Sequence, residues 1–274
     1  MISSVEKPVE RSPFRRWLGK EYYIAKRFLK WHFSGVKYSK PDSTVSFSEV
    51  WINHKSLLLK KLKDVDMYLQ YNKIENLKLA VSKIDGVVIK PGETFSIWRL
   101  VGRPSKRKGY KTGMMIHNGK VSTGTGGGLC QLGNLIYWMA LHTPLTITER
   151  WRHTFDVFPD VNRKVPFACG ATLAYNYIDL QLKNDTDITF KLHLWLDDEY
   201  LNGTFYGSKK SKFKYEIFET DQRFELQWWG GYTRHNRINK RITNLETSEV
   251  TEELVTENNA IVMYTPVLEE NSNS

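Results

Sequence analysis

A run of glycines in the middle of the chain leads into a stretch with apolar residues at helical spacing. The glycine run covers residues 124–128, and Cys130 falls in the first turn of the predicted helix. The apolar face of that helix consists of Leu132, Leu135, Ile136, Met139 and Ala140. The segment His142-Thr143-Pro144 ends the helix, and the alternating residues 145–150 predict a strand.

The remaining pattern predicts helices first and mainly strands later. Residues 50–62 and 76–84 favour helices, residues 87–89 favour a strand, and Asn118-Gly119 is typical of a hairpin turn. Further strands are predicted at residues 173–183, 188–196, 204–206, 215–218 and 224–229. We expect an α+β fold with the cysteine-bearing helix packed on a mainly antiparallel sheet.

The same pattern suggests three parts along the chain. Residues 1–75 form a helical, basic N-terminal extension, residues 76–233 form the α+β domain, and residues 234–274 form a C-terminal extension with an acidic tail. We expect the tail after Pro266 to be solvated or disordered.

Composition narrows the class of protein. The chain has 274 residues, 41% of them hydrophobic, which is enough for a sizeable core. No apolar run approaches the roughly 18 residues of a membrane span, and the first residues lack the apolar segment of a signal peptide. We therefore expect a cytoplasmic protein, or one peripheral to the inner face of the membrane, with Cys130 and Cys169 as free thiols.

Charge is unevenly distributed. Residues 1–40 contain ten Lys or Arg and three Glu, whereas residues 242–274 contain seven Glu and no base. Nucleic acid is not an expected partner, because no nucleic-acid-binding motif accompanies the basic residues. The sequence indicates no oligomeric state.

The segment from Tyr22 to Phe33 interleaves aromatic and basic residues. We expect Tyr23, Phe28 and Trp31 to pack on the domain while the lysines remain solvated. Peripheral contact of an amphipathic helix with anionic lipids is the alternative.

Cys130 is the candidate nucleophile. Unpaired N–H groups at a helix start favour the thiolate, and N–H groups in the glycine run can stabilise an oxyanion. His153 follows the next predicted strand and is the candidate base. The expected substrate-binding residues of the loop are Gly126, Gly127, Gly128 and Gln131.

Three residues qualify as the group that orients the histidine: Asp156, Asn176 and Asp179. Asp179 fits best, because it lies in a segment predicted to be an adjacent strand. A zinc site built from Cys130 with His117, His142 and His153 is not favoured, since these residues lack close paired spacing. We expect no metal and no cofactor.

An ordered series of motifs resembles the VanW family between about residues 77 and 207. The motifs are Pro91-Gly92-Glu93-Thr94-Phe95-Ser96, Gly109-Tyr110, Gly126-Gly127-Gly128-Leu129-Cys130-Gln131, Glu149-Arg150 with His153, Ala171-Thr172, and Asp179-Leu180 with Asn184. The resemblance implies a bacterial, envelope-linked protein associated with glycopeptide resistance. Many relatives have an acid where this chain has Gly170. If that acid orients the histidine in the family, either Asp179 or Asn176 replaces it here, or the activity of this chain is altered or lost.

Two function hypotheses follow. The first is a cysteine-dependent hydrolase or acyl transferase that acts on amide or ester bonds of cell-wall precursors or peptides, with Glu149 and Arg150 binding substrate. The Arg150 guanidinium suits a terminal carboxylate, although a structural ion pair fits it equally. The second hypothesis is a noncatalytic module that binds an envelope peptide or glycan and leaves Cys130 buried and inert.

Overall fold

The computed structural model describes residues 11–59, 66–117, 119–159, 165–175 and 178–266. The helices are α1 (Pro13–Phe33), α2 (Met67–Ile84), α3 (Ile97–Val101) and α4 (Cys130–Leu141), with a short 3-10 helix at Lys106–Lys108. The first seven strands are β1 (Lys40–Pro41), β2 (Glu49–Leu57), β3 (Val87–Ile89), β4 (Thr94–Ser96), β5 (Thr112–His117), β6 (Lys120–Thr125) and β7 (Thr146–Glu149). The others are β8 (Phe155–Asp156), β9 (Gln181–Lys183), β10 (Phe190–Leu196), β11 (Tyr200–Gly207), β12 (Phe213–Leu226), β13 (Tyr232–Asn244) and β14 (Val250–Val262).

The core lies between α4 and an antiparallel sheet with the strand order β1-β3-β10-β11-β2. Alternate residues of β10 point into this core, because side chains on a strand alternate between its two faces. Phe190, Leu192 and Leu194 are buried in one cluster with Leu132 and Leu135 of α4. The predicted α+β fold, with the cysteine-bearing helix on an antiparallel sheet, is confirmed.

Three smaller sheets complete the fold, with the strand orders β12-β13-β14-β8, β4-β9-β7 and β5-β6. In the β12-β13-β14-β8 sheet, the acidic strand β14 pairs with the basic strand β13. Opposite charges stand directly across the two strands, as in Arg241 with Glu252 and Arg237 with Glu257. The predicted solvated tail after Pro266 lies outside the described residues.

Several predicted elements are wrong. Residues 50–57 of the predicted helix at 50–62 belong to β2, and residues 60–65 lie outside the described part. The local Leu and Lys content favoured a helix, but pairing with β11 determines the strand. The segment 173–183 is a strand only at β9, and β12 is one strand where two were predicted.

The predicted domain boundaries fall inside regular elements. Residue 75 lies within α2, which continues through it, and residue 233 lies within β13. The three-part division stays a prediction.

Helix α1 begins after Ser12, whose hydroxyl accepts a hydrogen bond from the Arg15 N–H. The expected packing of its aromatic residues is confirmed for Trp31, which is buried, but is wrong for the other two. Tyr23 and Phe28 remain 46% and 54% exposed. Polar contacts hold the helix instead, including a two-point ion pair of Arg27 with Glu149. Within the described residues, none of the helices combines the length and apolar character needed to span a bilayer.

Candidate functional site

Cys130 is the first residue of α4, as predicted, but its surroundings disfavour the thiolate. The residue is partly exposed as a whole, yet burial of its thiol raises the pKa above the ordinary value. The backbone N–H of Leu173 lies 3.5 Å from Sγ and acts in the opposite direction, as does the N–H of Cys130 itself. The expected net lowering of the thiol pKa by the helix terminus is contradicted, because desolvation is the larger effect.

The glycines before Cys130 are required by close packing. A Cβ atom at Gly127 would lie 2.2 Å from the carbonyl carbon and oxygen of Gly113, and one at Gly128 would lie 2.3 Å from Cγ of Lys73. The N–H groups of Gly126 and Gly127 already donate to backbone carbonyls, those of Lys111 and Gly124 respectively. The loop is therefore packed against α2 and β5, and these two N–H groups are engaged within the fold.

The structure does not join His153 to Cys130 by a hydrogen bond. The segment that precedes His153 does pass close to Cys130. The Thr172 N–H donates to the Trp151 carbonyl, and the N–H of the next residue, Leu173, contacts the Cys130 thiol. Burial alone lowers the pKa of the His153 imidazole, with no contribution from Cys130. The Cys-His pair stays a prediction that these contacts do not support.

Asp179 lies in a buried hydrogen-bond network that does not include His153. Its carboxylate accepts from Ser96 Oγ at 2.5 Å, from the Trp98 N–H at 3.2 Å and from Gln181 Nε2 at 3.2 Å. Burial raises the pKa of Asp179 to about 6, although the hydrogen bonds from Ser96 and Trp98 oppose the shift. The network ties the start of α3 to β9, which gives Asp179 a structural role.

The other candidate orienters are also placed elsewhere. Asp156 forms a buried ion pair with Arg234 at 3.3 Å and accepts a hydrogen bond from Tyr264. Asn176 lies outside the described residues. No described residue is thus seen to orient His153 by a side-chain hydrogen bond.

Gln131 and Arg150 hold the fold together around Cys130. Gln131 Nε2 donates to Ser56 Oγ at 3.0 Å and to the Leu57 carbonyl at 2.9 Å, which joins α4 to β2. The Arg150 guanidinium donates to the carbonyls of Gly170, at 2.8 Å, and Ala168. The Arg150 bonds fix the loop at residues 168–170. Both side chains that were expected to bind a substrate, Gln131 and Arg150, are thus engaged within the fold.

Gly170, where the resemblance implies an acid in many relatives, is packed closely against the side chain of Asn134. A Cβ at Gly170 would lie 2.6 Å from Asn134 Oδ1, which accepts a hydrogen bond from the Ala171 N–H. An acidic residue at this position would have to displace Asn134. The loop is therefore built around the amide of Asn134.

A cavity of about 480 Å³ lies between α1 and the end of β7. It is lined by Tyr23, Lys26, Arg27, Lys30, Glu149, Trp151 and Ile178. Glu149 binds Arg27 there and also accepts from the Asp179 N–H at 3.0 Å, so the cavity wall connects to the Asp179 network. Of the sequence-predicted site residues, Glu149 lines this cavity and Cys130 does not.

Sequence reasoning missed the cavity residues of α1. The basic and aromatic composition of residues 22–33 was a visible signal, but it does not say which part of the domain the helix contacts. Trp151, which completes the aromatic part of the lining, is 58% exposed. Among the described residues, no cluster of three or more His, Cys, Asp or Glu is arranged to hold a metal ion.

Comparisons with known proteins agree with the motifs. Residues 72–206 match the family described as VanW like protein. The chain is 40% identical over 185 residues to the vancomycin B-type resistance protein VanW of Enterococcus faecalis, a match that covers 68% of this chain and 67% of that protein. It is 34% identical over 109 residues to the uncharacterized protein YoaR of Bacillus subtilis, which covers 40% of this chain and 34% of that protein. No solved structure matches the chain.

Proposed function

Because the chain belongs to the VanW-like protein family, we propose that it binds an anionic cell-wall precursor in the cavity between α1 and β7. The observation that carries this proposal is the lining of the cavity, which combines Lys26 and Lys30 with the aromatic rings of Tyr23 and Trp151. Its volume of about 480 Å³ is in the range of small-molecule sites.

Charge favours an anion in this cavity. The Glu149 carboxylate is matched by Arg27, so Lys26 and Lys30 give the wall an excess of positive charge. A phosphate or a peptide carboxylate complements two lysine ammonium groups. The half-exposed rings of Tyr23 and Trp151 offer flat apolar faces for a sugar or a peptide.

The surroundings of Cys130 favour binding over thiol chemistry. The thiol is desolvated, its pKa is raised, and it does not line the cavity. We further propose that binding of the precursor contributes to glycopeptide resistance, because the Enterococcus faecalis relative is named a vancomycin B-type resistance protein.

The double substitution Lys26→Ala/Lys30→Ala should weaken binding of UDP-N-acetylmuramyl-pentapeptide at least tenfold. The reason is the loss of two charged donors, each worth about 1.5–3 kcal/mol when fully engaged. Isothermal titration calorimetry measures the affinity. Lys20→Ala is the matched control, because Lys20 is an exposed lysine of the same helix that does not line the cavity. Equal affinity of the double variant and the wild type, or no binding by the wild type, would contradict the proposal.

A cysteine-dependent hydrolase or acyl transferase is the second candidate. In this reading the Cys130 sulfur attacks an amide or ester carbonyl while His153 takes the thiol proton. The C–N or C–O bond then breaks, the amine or alcohol leaves with that proton, and water or an acceptor nucleophile releases the acyl group from the thioester. One observation favours it: the backbone N–H of Leu173 donates to the sulfur at 3.5 Å, as N–H groups do around a nucleophilic thiolate.

Alkylation of Cys130 by iodoacetamide separates the two candidates. An ordinary cysteine has a pKa of about 8.5. Because burial raises the pKa of the Cys130 thiol, its thiolate fraction at pH 7 should be smaller than that of an ordinary cysteine. We expect the rate to stay low at pH 7 and to increase only above the ordinary pKa. Peptide mapping by mass spectrometry, with Cys169→Ser as background, assigns the signal. Rapid modification at pH 6 would instead support the thiol enzyme.

A further inference from the structure

We propose that α1 attaches the protein to an anionic membrane surface through a stripe of apolar side chains that faces solvent. The stripe consists of Phe14, Leu18, Tyr22, Ala25, Leu29 and Phe33. Its members follow one another at four- and three-residue spacing, which places them on one face of a helix. A helix of this kind lies in the plane of a membrane interface.

The way α1 docks on the domain keeps this stripe outward. The opposite face carries buried Trp31 and half-buried Ile24, and Arg27 on that side binds Glu149. Exposure of the large stripe residues ranges from 52% at Leu18 to 81% at Phe33. Within the described part of the chain, the stripe is therefore a continuous apolar surface without a cover.

Charge identifies the occupant as an anionic lipid surface. Helix α1 contains six Lys or Arg and one acid, Glu21. Arg15, Lys26 and Lys30 are exposed and follow one edge of the stripe, at the level where lipid phosphates would lie. A second copy of the same helix would bring these like charges together, which opposes self-association through the stripe.

Attachment through α1 would also place the cavity at the membrane. Lys26 and Lys30 border the stripe and line the cavity as well, so the cavity opening would lie near the lipid headgroups. The attachment itself depends on the stripe and not on any ligand, so it stands independently of the proposed function.

Sedimentation with vesicles tests the attachment. The full chain should be recovered with vesicles of phosphatidylglycerol and phosphatidylcholine. Less of it should be recovered in 0.5 M than in 0.1 M salt, because the Debye length falls below its value of about 10 Å at 0.1 M and the attraction between opposite charges is screened more strongly. Leu18→Glu/Leu29→Glu and the uncharged Leu18→Gln/Leu29→Gln should each reduce partitioning at least tenfold. Circular dichroism checks that both variants remain folded, as expected for exposed positions.

Leu226→Glu/Leu254→Glu is the matched control, since it makes the same change at two exposed leucines of β12 and β14. This control should bind vesicles like the wild type. The proposal would be overturned if the α1 variants bound vesicles as well as the wild type does, or if only the control lost binding. A wild-type dimer in light scattering that becomes monomeric in the α1 variants, with no vesicle binding, would overturn it as well.

Discussion

The substitution Asp156→Asn should lower the free energy of unfolding by about 3 kcal/mol or more. Asp156 and Arg234 form an ion pair in which both side chains are almost fully buried, and the guanidinium stacks over the ring of Phe167. Removing the carboxylate charge takes the Asp156 counterion away from a guanidinium that is itself almost fully buried. Urea denaturation at pH 7, followed by tryptophan fluorescence, measures the loss.

Asp221→Asn is the matched control for that experiment. Asp221 pairs with Arg237 at 3.1 Å, but both side chains are about half exposed, so solvent screens the interaction. We expect a change below about 1 kcal/mol. Asp221 also has a positive φ angle, which asparagine tolerates well, so the backbone adds little cost. A similar loss in both variants would show that burial does not set the strength of the Asp156 pair.

The substitution Gly127→Ala should destabilise the fold by about 3 kcal/mol or more, because overpacking against a rigid neighbour is costly. The new methyl group would overlap the backbone of Gly113, and neither strand nor loop has a side chain that could rotate away. Thermal denaturation and urea denaturation should both show the loss. The result would confirm that packing against β5 requires glycine at this position.

Gly19→Ala provides the corresponding control. Gly19 lies inside α1, and a Cβ there would meet nothing within 4 Å. Alanine is the better helix former by about 1 kcal/mol, so stability should stay the same or increase slightly. A Gly127→Ala variant as stable as the wild type would contradict the close backbone contact between Gly127 and Gly113.

Local patterns in the sequence were sufficient to predict the helix and the strand next to Cys130. The glycine run, the apolar spacing of residues 132–140 and the break at Pro144 predicted α4 and β7 correctly, because helix periodicity and turn residues act over a few positions. The ordered motifs identified the family for the same reason, since they can be read directly along the chain. Sequence alone therefore determined the fold class, the position of Cys130 and the family.

Tertiary structure decided what those residues contact. Burial raises the pKa of Cys130, and burial depends on segments as distant as Leu173. Strand β2 exists because β11 pairs with it, against the helical preference of its own sequence. Likewise, the cavity forms only where α1 meets the end of β7, through the Arg27 and Glu149 pair across 122 positions of the chain. Desolvation and long-range pairing depend on atoms that are far apart in sequence, and no local pattern of residues specifies them.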